Sequence, residues 1–103
     1  MTNTMSIKPG VRVLGIRPEL VLALQIAQAI YAERSAPLVI TSIIDSTHEV
    51  GSLHYAGCAA DLRLPPDNAL AVVVALHDAL GPDFDVVLEG DHVHLEFQPK
   101  TPY

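Results

Sequence analysis

The chain reads as an α+β fold: a small antiparallel sheet with two helices packed on it. Three observations predict this. Two stretches carry apolar residues at helical spacing, each bounded by Pro, Asn or Gly signals. Short β-branched runs lie between and after them. The last two runs are close enough to form a hairpin, so the sheet is expected to be antiparallel and covered on one face.

Residues 1–10 are polar and end in Pro9-Gly10, and are read as an N-terminal arm. Val11 to Ile16 is a candidate for a small edge strand. Arg17-Pro18-Glu19 opens the first helix, because Pro18 suits a first turn and Glu19 suits the positive end of the dipole. Leu20, Leu22, Leu24, Ile26, Ala27, Ile30 and Tyr31 supply a broad apolar face. Residues 32–35 form the polar exit, and Pro37 marks the end.

Leu38 to Ile44 is nearly continuous and β-branched, which predicts a buried strand. Asp45 to Gly57 is polar and long for a compact domain, and loops of this kind commonly carry function. Ala59 to Leu64 reads as the next strand. Pro65-Pro66-Asp67-Asn68 starts a helix over Ala69 to Leu80, closed by Gly81-Pro82. Phe84 to Leu88 and Val93 to Phe97 are the hairpin strands, turning through Glu89, Gly90, Asp91 and His92. Residues 11–103 thus form one domain, in keeping with a length of 103 residues.

Composition excludes several classes. A net charge of −6 with only six Lys and Arg argues against nucleic acid, whose phosphates need clustered bases. No run reaches the roughly 18 apolar residues of a membrane span. The start has no apolar core of a secretory signal, so synthesis in the cytoplasm is expected. The single cysteine, Cys58, excludes an internal disulfide and a cysteine-rich zinc cluster, and reads as a small core residue.

The histidines are placed informatively. His48 and His54 fall in the long loop, near Asp45, Glu49 and Asp61. His92 and His94 fall at the hairpin, near Glu89, Asp91 and Glu96. Imidazole and carboxylate from two segments are the ligand chemistry of a catalytic zinc site, with three protein ligands and one open position. Strand alternation puts His92 and His94 on one face and Val93, Leu95 and Phe97 on the other.

Residues 52–61 read Ser-Leu-His-Tyr-Ala-Gly-Cys-Ala-Ala-Asp, a Ser-x-His-x-x-Gly-x-Ala-x-Asp run. It resembles the signature of the D-alanyl-D-alanine carboxypeptidase and dipeptidase family of zinc peptidases. That family includes phage L-alanyl-D-glutamate endolysins and shares its fold with the hedgehog signalling domain. The stretch Asp91-His92-Val93-His94-Leu95-Glu96-Phe97 resembles the family's late acid-x-x-His segment.

The resemblance implies Zn2+ held by His54, Asp61 and His94. It implies Asp91 as the general base that activates zinc-bound water, with His92 beside the metal to stabilise the oxyanion. Ser52, Tyr55 and His48 are candidate substrate or supporting groups. Glu89 with His92 also fits acid-x-x-His, and Asp91 with His94 is preferred because Leu95-Glu96-Phe97 continues the family pattern. The implied activity is a zinc metallopeptidase hydrolysing stem peptides of bacterial peptidoglycan, reaching the cell wall through phage lysis or a virion.

One departure stands out. Many family members carry an Arg shortly after the strand that here ends at Ile44, where this chain has Asp45. No Arg lies between Arg34 and Arg63. That favours an endopeptidase over a strict carboxypeptidase. It also keeps open a non-catalytic structural or binding module, such as a virion or tail component docking on partner proteins.

Overall fold

The computed structural model describes residues 4–11, 13, 16–44 and 59–99. The order is β1 (Met5–Ile7), α1 (Pro18–Glu33), β2 (Leu38–Ile44), β3 (Ala59–Arg63), α2 (Ala69–Leu80), β4 (Phe84–Glu89) and β5 (His92–Phe97). The class is α+β as expected. The five strands lie in the order β1-β2-β3-β5-β4.

The sheet is mixed rather than purely antiparallel. β1 runs parallel to β2, with Met5 opposite Leu38 and Ile7 opposite Ile40. All other neighbours are antiparallel. The edge strand thus falls inside the stretch read as a polar arm, whereas Val11, Val13 and Ile16 lie outside any strand. Backbone bonds from Leu38 to Thr4 and from Lys8 to Ile40 extend the pairing at both ends. Three residues alternating Met-Ser-Ile give almost no local signal, and β2 supplies the ladder that makes them a strand.

α1 starts at Pro18 because Arg17 is extended and its carbonyl accepts the first-turn amides of Leu20 and Val21. Its buried residues are Leu20, Ala23, Leu24, Ala27, Ile30 and Tyr31, a stripe at three- and four-residue spacing. Leu22 is exposed, since two residues from Leu20 is about 200° around the helix. α2 follows Asn68, whose left-handed φ of 53° an asparagine tolerates, and stops at Gly81 with φ 81°. Neither described helix is long and apolar enough to cross a membrane.

One cluster joins both helices to one face of the sheet: Leu20, Leu24 and Tyr31 of α1 and Val72 and Leu76 of α2 meet Leu38, Ile40, Leu62, Val86, Val93 and Leu95. Each such aliphatic side chain contributes roughly 1.5–3 kcal/mol by leaving water. A bulge at Thr41 explains why Ile40 and Ile43, three apart, both face this core. Past the bulge Ser42 pairs with Asp61, so the opposite face, which neither described helix covers, receives Ser42 beside the β3 carboxylate.

Candidate functional site

The sheet face opposite α1 and α2 is built by strand alternation. Ala60 and Leu62 enter the core, so Asp61 and Arg63 point the other way. Val93 and Leu95 do the same in β5, leaving His92, His94 and Glu96 outside. Register then sets who meets whom. One row across β3, β5 and β4 is Arg63, His92, Glu89, and the next is Asp61, His94, Val87. The hairpin is tighter than expected: Glu89 pairs directly with His92, so only Gly90 and Asp91 make the turn.

Each histidine presents one ring nitrogen to Asp61 and the other to a carboxylate of its own. His94 Nδ1 lies 2.9 Å from Asp61 Oδ1, and its Nε2 lies 2.9 Å from Glu96 Oε1. His92 Nε2 lies 3.6 Å from Asp61 Oδ1, and its Nδ1 lies 2.7 Å from Asp91 Oδ1. Glu89 Oε1 approaches the inward nitrogens of both rings, at 3.6 Å from His92 and 4.0 Å from His94. An outer carboxylate on a histidine fixes its tautomer and raises its basicity.

The electrostatics follow from these contacts. Partial burial is the largest single influence on His94 and pulls its pKa down, but bonds to Glu96 and Asp61, with their charges, outweigh it and leave the ring above its ordinary value. The bond to Asp91 raises His92, helped by the charges of Asp61, Asp91 and Glu89 against some desolvation. The same His92 bond lowers Asp91. Both rings therefore hold a proton more tightly than a free imidazole does.

Asp61, Asp91, His92 and His94 are thus brought together on one face. Asp91 reaches it only through His92: its side chain is 95% exposed at the turn and bonds the far nitrogen of that ring. His48, Ser52, His54 and Tyr55 lie outside the described residues. Glu96 behind His94 and Glu89 beside both rings complete the cluster. The first follows from two-residue spacing on one strand face, and the second required the hairpin register.

The donor set suits zinc in chemistry. Four donors about 2.0–2.1 Å from an ion stand about 3.3 Å from one another. The 2.9 Å between Asp61 and His94 is a few tenths of an ångström short of that. Among the described residues no group of three or more His, Cys, Asp or Glu side chains is arranged to hold an ion. His92 and Glu89 stand farther off, and the third member of the expected set, His54, is not among those residues. No protein-family model matches the chain, and neither the curated proteins nor the solved structures provide a match.

Proposed function

We propose that the chain is a zinc-dependent peptidase acting on the stem peptides of bacterial peptidoglycan, in an endolysin-like or D-alanyl-D-alanine carboxypeptidase-like manner. The single observation that supports it most is the Asp61–His94 pair backed by Glu96, a part-buried carboxylate–imidazole–carboxylate line on the sheet face opposite α1 and α2. Together with His54 of the Ser-x-His-x-x-Gly-x-Ala-x-Asp run, Asp61 and His94 would hold the ion. When bound, zinc polarises the scissile carbonyl and lowers the pKa of the attacking water.

The protein groups then divide the remaining work. Glu96 holds the His94 ring so that Nδ1 faces Asp61. Asp91 holds His92, whose Nε2 faces the same place and can donate to a developing oxyanion. A carboxylate must take the proton of the attacking water and return it to the departing amine as the C–N bond breaks. The motif gives that role to Asp91. Position favours a second assignment, Glu89, whose Oε1 stands on the Asp61 side of both rings while Asp91 stands beyond His92.

The test is release of new amino groups from purified peptidoglycan by the zinc-loaded protein, with and without chelator. Chelator-sensitive release supports the peptidase. One equivalent of zinc without release from several wall types would replace it with the non-catalytic module, a virion or tail component keeping the fold and the ion.

A further inference from the structure

We propose that the outer edge of β1 is the interface of a symmetric dimer, in which two copies of this chain join their sheets about a two-fold axis at Ser6. β1 ends the sheet, and among the described residues no strand pairs with its outer side. The ladder sets where its backbone groups point. The Thr4 carbonyl accepts from the Leu38 amide, and the Lys8 amide donates to the Ile40 carbonyl, each at 2.9 Å. Backbone groups alternate along a strand, so Thr4, Ser6 and Lys8 serve β2. The N–H and C=O of Met5 and Ile7 point away from it. An edge of this kind is a template for another strand.

This edge is complementary to itself. In an antiparallel pair with Ser6 opposite Ser6 of the second copy, Met5 falls opposite Ile7 of the second copy, and Ile7 opposite Met5. Residues opposed in this way exchange both of their backbone bonds, so every outward group of Met5 and Ile7 is used. The pair is isologous, and the assembly therefore closes at two copies. The axis stands perpendicular to the sheet, which keeps both helix layers on one side.

The side chains agree with the backbone. An apolar groove of about 250 Å³ is lined by Met5 and Ile7 of β1, Val21 and Leu24 of α1, and Val13 and Ile43 among others. Met5, Ile7, Val13 and Val21 are exposed. A three-residue ladder is short for a stable contact, and the groove supplies the apolar area that the ladder lacks. About the two-fold axis the grooves of both copies meet on the helix side of the joined strands.

Charge selects a second copy as the occupant and this edge as the one it uses. The net charge is −6, so two copies repel wherever their carboxylates meet. None of the residues lining the groove is charged. In the proposed pairing Lys8 falls opposite Thr4, so like charges are not opposed. The other edge strand, β4, carries Asp85 and Glu89, and a β4–β4 contact would bring two acidic strands together.

The experiment is sedimentation of the full chain over a rising concentration series, with hydrogen exchange read at single amides. The mean mass should rise towards twice that of the chain. The Met5 and Ile7 amides should gain protection with concentration, while the Lys8 amide, already bonded to Ile40, should not change. Ile7→Pro removes an outward donor and keeps the bonds to β2, so it should weaken dimerisation about tenfold or more. Val21→Glu charges the groove from α1, outside the ladder, and should weaken it as much; it carries the test if Ile7→Pro does not fold. Leu88→Lys, exposed on β4, should dimerise like the parent. A chain that stays single at every concentration, a dimer that Val21→Glu leaves at full strength, or one that Leu88→Lys abolishes overturns the proposal.

Discussion

Asp61 and His94 face each other directly across the β3–β5 ladder, and Oδ1 of one lies 2.9 Å from Nδ1 of the other. A directly opposed antiparallel pair is the shortest side-chain relationship a sheet offers, with Cβ atoms about 4.5–5.5 Å apart. Two of the three expected zinc donors are therefore brought together by sheet register.

The first prediction concerns Glu96. Its Oε1 takes the outer nitrogen of His94, so Glu96→Gln should leave the fold intact and weaken zinc binding roughly 10- to 100-fold. His94→Ala should remove binding altogether. Competition with a chromophoric chelator measures both. Equal affinity in Glu96→Gln and parent would show that the outer carboxylate does not tune the ligand.

Glu89 and Asp91 can be told apart by a pair of isosteric amides. If Glu89 is the proton acceptor, Glu89→Gln should lower kcat by about 10²–10⁴, the usual worth of general acid–base catalysis, with zinc still bound. Asp91→Asn should then cost less, because it only loosens the 2.7 Å hold on His92. The reverse order returns the base to Asp91 and places Glu89 as a bystander at the hairpin.

The two histidines make a pH signature. Both rings are raised in the folded protein: His94 by Glu96 and Asp61 against desolvation, His92 chiefly by its Asp91 bond. Each therefore holds its proton more tightly folded than unfolded. The stability this supplies is fully present below the ordinary value of about 6.5 and is lost as pH rises through the raised values. Thermal unfolding of chelated protein should shift to lower temperature as pH rises above about 6.5, and His94→Gln should flatten the trend. Zinc competes with the same protons, so metal affinity should rise over the same interval.

What was legible in the sequence tracks how local its cause is. α2 could be bounded from Asn68 and Gly81, because caps act within a few residues. The shared face of His92, His94 and Glu96 follows from alternation along one strand. β1 was not legible, since Met5–Ile7 becomes a strand only through a parallel partner more than thirty residues away. Nor was the bulge at Thr41, which moves Ser42 beside Asp61 and depends on which residue of β3 pairs with Ile40. Glu89 and Asp91 each fit the acid-x-x-His spacing, and only hairpin register shows that one flanks the ring cluster and the other caps it from outside.

The last prediction concerns the strand that carries Asp61. Tyr31, fully buried on α1, donates its hydroxyl hydrogen to the Arg63 carbonyl at 2.8 Å and so ties the helix to the end of β3. Burial pushes the Tyr31 pKa up to about 12. Tyr31→Phe keeps the ring and removes one hydrogen bond, so it should cost about 1 kcal/mol, read as a fall in Tm of roughly 5 °C near neutral pH. The sign then changes with alkali. A raised tyrosine contributes stability below its ordinary value of 10.0 that is lost as pH climbs towards about 12, whereas phenylalanine has no proton to lose. The parent's advantage should shrink through that interval. A gap between parent and Tyr31→Phe that stays constant from pH 9 to pH 12 would mean that the hydroxyl is not held neutral by the fold.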